Sequence, residues 1–324
     1  AITALYALDT LGPSHRFVTR LIATGPLKDG RVNGDLVLVG GGDPTMDTDR
    51  LGDMARMVKE AGVNSVSGRF RVQTSALPAI ARIDPEQPEH VGYNPSIGGL
   101  NLNFNRVHFS WARAAKGYDV KMQARGDRFR PAVSVAQMSV VNRSLPVYTY
   151  ADNGIADQWT VARAALGKNG SRWLPVRHPA LYTAEVFLAL ARSYGIELHG
   201  DGTEARNVKG KTLVRMVSAP LREVSADMLN FSTNLTAEVL GLTASRKLGR
   251  RVQKLDTSAA QMMTWLDQGA ATRRAALKDH SGLSDDSRIT ATDMARALVR
   301  LGPDGALAPL MKRIALQDEA GTAG

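Results

Sequence analysis

The sequence predicts a multidomain α/β protein in which one folding unit is interrupted by a large β-containing insertion. Helical and strand-like periodicities are both present, but they nest instead of alternating as regular βαβ units. Strand-like pieces rich in Pro, Gly and Asn fill the middle of the chain, whereas the last third reads as almost entirely helical. The 324 residues, 44% of them hydrophobic, suffice for two or three cored domains and are too apolar for a disordered chain.

Residues 1–12 read as a helix ending at Gly12-Pro13, with Ala1, Ala4, Leu5, Leu8 and Leu11 on an apolar stripe and Asp9 as its only charge. Such a helix expects burial on most sides. No capping residue stands ahead of it, so the native chain is expected to extend upstream. A strand over 16–24 follows, then a turn over 28–34 and a strand over 35–39 that runs into Gly40-Gly41-Gly42-Asp43-Pro44-Thr45. Leu51, Met54, Ala55 and Val58 give a helix over 47–61 its apolar face, and 66–74 reads as a strand. The middle offers β-like pieces at 102–111, 118–124 and 145–150. A helix at 180–194 and a strand at 212–217 lead into helices at 221–229, 233–248, 258–266 and 291–301.

Composition removes several classes of chemistry. The absence of cysteine excludes disulfides, thiolate nucleophiles and cysteine-bound zinc. The six histidines show no metal-binding spacing, and no cofactor or metal site is expected. Asp279-His280-Ser281 looks like a triad fragment, but adjacent residues rarely face one another as a triad requires. No run of eighteen apolar residues occurs, so no transmembrane segment is expected. The glycine run at 40–42 invites a dinucleotide reading, which fails because Asp43-Pro44 separates it from the next helix; it reads as a structural turn. The formal charge of +10 favours polyanionic partners. Arg246, Lys247, Arg250, Arg251 and Lys254 recur at three- and four-residue spacing and should share much of one solvated helix face. Without interleaved aromatics that stretch does not predict nucleic-acid binding.

Ser232-Thr233-Asn234 precedes a helical stretch, where Ser and Asn are ordinary capping residues. Ser-x-Asn is also the middle motif of the penicillin-recognising serine enzymes, between Ser-x-x-Lys and Lys-Thr-Gly. Its company decides between these. The segment from Gly34-Asp35-Leu36 through Gly40-Gly41-Gly42-Asp43-Pro44-Thr45, then Ala61-Gly62-Val63-Asn64 leading to Gly68 and Thr74-Ser75, resembles the insertion of class C low-molecular-mass penicillin-binding proteins, the DacB-like serine D-alanyl-D-alanine carboxypeptidase/endopeptidases. Ser218-Ala219-Pro220-Leu221, Ser232-Thr233-Asn234-Leu235, Ala237-Glu238 and Ser281-Gly282-Leu283-Ser284 resemble the rest of that family in order and spacing.

The resemblance implies a penicillin-recognising domain formed by 1–32 and 218–324, an inserted α/β domain formed by 33–74 and 151–217, and a nested β-rich subdomain over 75–150. It implies a periplasmic or cell-envelope enzyme that cleaves peptidoglycan stem peptides ending in D-Ala-D-Ala through an acyl-enzyme, leaves endopeptidase action on crosslinks open, and is acylated by β-lactams. Ser232 would relay protons and Asn234 would bind the peptide carbonyl. Asn105, where relatives often have Asp, and Asp285, where many have Arg, would bear on how the stem is gripped. No serine stands three residues before any lysine, and Lys211-Thr212 is followed by Leu213, so both outer motifs are missing. Truncation at both ends is the expected reason, and the 324 residues alone are expected not to fold because the apolar first helix would lack cover. A non-catalytic peptidoglycan-binding relative and a basic nucleic-acid-binding protein remain as alternatives.

Overall fold

A computed structural model of the chain describes residues 1–249, 251–270, 272, 275–301 and 307–311. In chain order they form α1 (Ile2–Leu11), β1 (Val18–Ala23), β2 (Leu27–Lys28), β3 (Arg31–Val32), β4 (Leu36–Val39), α2 (Thr48–Glu60), β5 (Ser65–Val66), β6 (Phe70–Gln73), β7 (Arg106–Arg113), β8 (Tyr118–Gln123), β9 (Ala136–Val141), β10 (Tyr148–Asp152), β11 (Asp157–Ala162), β12 (Asn169–Pro175), α3 (Pro179–Ser193), β13 (Lys211–Val217), α4 (Leu221–Phe231), α5 (Asn234–Lys247), α6 (Leu255–Ala270) and α7 (Ala291–Leu301).

The apolar first helix finds its cover within the chain. Ile2 through Leu8 are buried, and α1 packs on α5, α6 and α4. Its single charge is satisfied: Trp265 Nε1 donates to Asp9 Oδ2 at 2.8 Å. The expectation that this helix would lack cover is therefore overturned; α4–α6 close over it.

The principal sheet has the order β13-β1-β4-β6, with β1 antiparallel to both neighbours and β4 parallel to β6. β4 is a continuous apolar run because both faces are covered. Leu36 and Leu38 join the large core, while Val37 and Val39 pack with Ile22 and Ala205. Three smaller sheets, β2-β3-β5, β12-β7-β8 and β10-β11-β9, complete the β structure. Strands β9, β11 and β12 were not legible in the sequence. Polar residues such as Gln137, Ser139, Gln158 and Ser171 dilute their alternation.

The large core runs from Leu21 to Val214 and joins α2 and α3 to β7, β8 and β11. A second core joins α1, α4 and α5 to Leu77, Ile83 and Ile97. The ranges expected from sequence cut across both. β1, placed with 1–32, is hydrogen-bonded between β13 and β4, and the 77–97 segment packs on the helices. We propose drawing the units by core: 1–17, the 77–97 segment and 218 onward in one, the remainder of 18–217 in the other.

The glycine run is a packing device. A Cβ on Gly41 would lie 2.0 Å from the Val18 carbonyl oxygen, and one on Gly40 2.2 Å from that of Gly99. Buried Asp43 then ties the turn to α2, accepting from Thr45 N and from Arg50 Nη1 at 3.1 Å. The basic cluster departs from expectation. α5 ends at Lys247, Gly249 turns the chain at φ 81, and Arg251 and Lys254 lie ahead of α6, so they share no helix face with Arg246. Arg250 lies outside the described residues.

Candidate active site

The Ser-x-Asn segment forms the joint between two helices. Ser232 ends α4 in the left-handed region (φ 51, ψ 49), a conformation that costs a non-glycine residue about 1 kcal/mol. Thr233 is extended and opens α5, so neither Ser232 nor Asn234 is spent on capping that helix. Ser232 is exposed. Asn234 Nδ2 donates to the Tyr93 carbonyl at 2.9 Å, which ties α5 to the 77–97 segment.

The joint separates two cavities. One, of about 140 Å³, is bounded by Ala1, Thr3, Met228, Ala237 and Ser281; the other, of about 160 Å³, by Tyr93, Phe104, Arg106 and Phe231. Ser232, Thr233 and Asn234 line both. A larger cavity, about 310 Å³, lies away from them between Leu77, Ile97 and the start of α3.

One turn beyond Asn234, fully buried Glu238 holds the next wall. It accepts from His280 N at 3.1 Å and Ser281 N at 2.7 Å. Burial first, and then the charge of Asp279, push its carboxyl up to about 8. Asp279 closes the same turn by accepting from Gly282 N and Ser284 N, each at 2.7 Å. Thr3 Oγ1 donates to the His280 carbonyl at 2.5 Å, fixing the start of α1 to this wall. The His280 ring lies flat on α5 against Gly241, where a Cβ would come within 2.1 Å of it. Its Nε2 meets Ser258 Oγ at 2.7 Å, and burial pushes it down to about 3. His280 is thus a neutral core residue directed at Ser258. Asp279-His280-Ser281 is not a triad.

Of the four residues expected at the site, the structure brings Ser232 and Asn234 together. Asn105 is a correction. It is fully buried, its Nδ2 donates to the carbonyl of Ser96 and to Asn101 Oδ1, and its Oδ1 accepts from Leu102 N. With φ 51 it locks a loop, and it lines none of the three cavities above. Asp285 is exposed, and among the described residues its carboxylate makes no hydrogen bond or ion pair and lines neither cavity. Sequence reasoning missed Tyr93, Phe104 and Arg106. The last two flank Asn105, and only the fold aims them at Ser232. Among the described residues no three His, Asp or Glu side chains could hold a metal ion.

The architecture is that of a penicillin-recognising serine peptidase carrying an inserted α/β region. It matches the crystal structure of penicillin binding protein 4 (dacB) from Haemophilus influenzae with a TM-score of 0.78 at 20% identity, over 95% of this chain and 69% of that one. The chain belongs to the D-Ala-D-Ala carboxypeptidase 3 (S13) family, whose profile matches residues 1–324. It is 27% identical over 326 residues to a D-alanyl-D-alanine carboxypeptidase of Actinomadura sp. (strain R39), covering 93% of this chain and 58% of that protein. It is 22% identical over 306 residues to the D-alanyl-D-alanine carboxypeptidase DacB of Haemophilus influenzae, covering 91% of this chain and 63% of that protein. The chain therefore spans about 60% of the length of the curated relatives it matches.

Proposed function

We propose that the protein carrying this chain is a serine D-alanyl-D-alanine carboxypeptidase, with endopeptidase action on crosslinks, that acts on peptidoglycan stem peptides outside the cytoplasm. The observation that carries this reading is the exposed Ser232 and half-buried Asn234 at the joint of two cavities, braced by Glu238 against the 279–284 turn. In this reading the acylating serine and its lysine come from outside these 324 residues, which hold no Ser-x-x-Lys.

The nucleophile attacks the carbonyl of the penultimate D-alanine, the C–N bond breaks, and the terminal D-alanine leaves with a proton. Water then hydrolyses the ester. Ser232, whose hydroxyl has no protein partner among the described residues, relays the proton. Asn234 keeps one N–H on Tyr93 and turns the rest of its amide to the substrate. That is positioning by preorganised donors. A β-lactam would acylate the same serine. Among the described residues no helix is long and apolar enough to cross a membrane.

The test is labelling of the gene product that carries this chain with a fluorescent penicillin. Native protein should label and heat-denatured protein should not, and release of D-alanine from a D-Ala-D-Ala peptide should follow. Native protein that neither labels nor releases D-alanine would leave the reading without support and favour a non-catalytic binder.

A further inference from the structure

Sheet β12-β7-β8 has two unlike faces. Val107, Phe109, Leu174 and Met122 point into the large core. The opposite face carries Arg106 and His108 of β7, paired across the ladder with Pro175 and Trp173 of β12, and Lys121 and Gln123 of β8. Arg125 reaches the same place, with Nη1 at 3.5 Å from His108 Nε2, and Arg130 follows on the adjoining turn.

This face holds positive charge without an answering acid. None of Arg106, Lys121, Arg125 and Arg130 forms an ion pair among the described residues, and the strand positions of the face include a single acid, Asp119, at the end far from Arg106. The Arg106 guanidinium makes no hydrogen bond there either. It lies over the rings of Phe104 at 5.1 Å and Trp173 at 5.6 Å. Arg106 Nε and His108 Nδ1 are buried without a partner. Burial, Arg125 and Arg130 hold His108 below its ordinary pKa. Trp173 adds an aromatic surface beside these cations.

The face is continuous with the candidate active site, because Arg106 also lines the cavity at Ser232-Thr233-Asn234. We propose that the outer face of β12-β7-β8 docks a carboxylate-bearing glycopeptide strand of the cell wall and leads it toward that cavity. The chemistry is complementary. Such a strand repeats carboxylates, which the four cations attract, and sugar rings, which pack on Trp173. This rests on the substrate class proposed above.

The experiment uses the gene product that carries this chain and purified insoluble peptidoglycan, in native form and with its carboxylates amidated, in a sedimentation assay at low salt. The K121E/R125E/R130E variant should bind native peptidoglycan at least about fivefold more weakly than the wild type, from three exposed charge contacts. Amidation should weaken wild-type binding by a similar factor, and 0.5 M salt should erase the difference. Equal sedimentation of variant and wild type, or undiminished binding to amidated peptidoglycan, overturns the proposal. So does duplex DNA bound more tightly than peptidoglycan through the same residues. Should the triple variant melt early, K121Q and R130Q are measured singly under the same criteria. Wild-type protein that fails to label with penicillin yet shows this charge-dependent binding would sink the enzymatic reading and leave the docking face standing.

Discussion

Glu238 offers the sharpest test of how the wall of the candidate site is held. Glu238→Ala would strip His280 N and Ser281 N of their acceptor in a fully buried place. Each unsatisfied donor costs about 1–3 kcal/mol, so roughly 2–6 kcal/mol should be lost before any cavity cost. Glu238→Gln keeps an acceptor oxygen and mimics the protonated acid. It should therefore cost little near pH 5. The two variants also separate by pH. The folded pKa of Glu238 is raised from 4.5 to about 8, so its contribution is fully present below 4.5 and is lost as pH rises through 8. His280 is lowered from 6.5 to about 3, so its contribution is present above 6.5 and is lost as pH falls through 3. Between 4.5 and 6.5 the two slopes oppose each other. From 6.5 to 8 Glu238, and not His280, titrates at about 1.4 kcal/mol per pH unit, so the wild type should lose about 2 kcal/mol that Glu238→Gln retains. Urea melts at pH 5, 6.5 and 8 measure this, with amide-exchange mass spectrometry of the 276–288 peptide as the local readout. A Gln variant as unstable as the Ala variant at pH 5, or a wild-type-to-Gln difference that stays constant from pH 6.5 to 8, would refute the reasoning.

Asn105→Asp should destabilise by about 2–4 kcal/mol, because a buried carboxylate replaces the donor to the Ser96 carbonyl and Asn101 Oδ1; thermal melting reads it. Gly241→Ala should cost about 1–3 kcal/mol by driving a methyl into the His280 ring, again visible in a melt. In the full gene product Ser232→Ala and Asn234→Ala should each slow acylation by fluorescent penicillin about 10²–10³-fold, with melting temperatures near the wild type's. Asp43→Ala should destabilise by about 3–5 kcal/mol, since it leaves the half-buried Arg50 and the Thr45 amide without their carboxylate; a urea titration checks it.

Much of the fold was legible because its signals are local. The apolar stripe of 1–12, the cap at Asp47 and the glycine past Tyr194 each mark a boundary that the backbone respects to within about two residues. Strands β9, β11 and β12 were not legible because their outward residues are too polar to alternate cleanly, and β12 pairs with β7 across the whole β8–β11 stretch. The two-residue β2 and β3 are hidden around the turn expected over 28–34. The site divides the same way. Ser232 and Asn234 are candidates because of the family-like segments around them, but whether a nearby residue faces the cleft depends on backbone geometry that one sequence does not display. Phe104 and Asn105 both adopt positive φ, which turns Asn105 inward and leaves Phe104 and Arg106 on the cavity. Shifting the assignment by one residue exchanges a loop lock for a cleft wall.

That exchange bears on what the insertion does. The bond from Asn234 to Tyr93 and the packing of Leu77, Ile83 and Ile97 both fix the 77–97 segment to the helices. One of the two cavities at Ser232 takes Arg106 from β7, whose Val107 and Phe109 belong to the large core, beside Tyr93 and Phe104, while the other is built from α1, α4, α5 and the 279–284 turn. A site assembled from two cores can keep its reacting geometry on one and vary recognition on the other. Changes at Phe104 or Arg106 should then alter which stem is accepted, while changes at Glu238 or Asp279 should alter whether Ser232 and Asn234 are held at all. KM against kcat, measured for both sets in the full gene product, separates the two roles: an Arg106→Ala variant that lowers kcat alone would place the insertion in the chemistry and contradict this division.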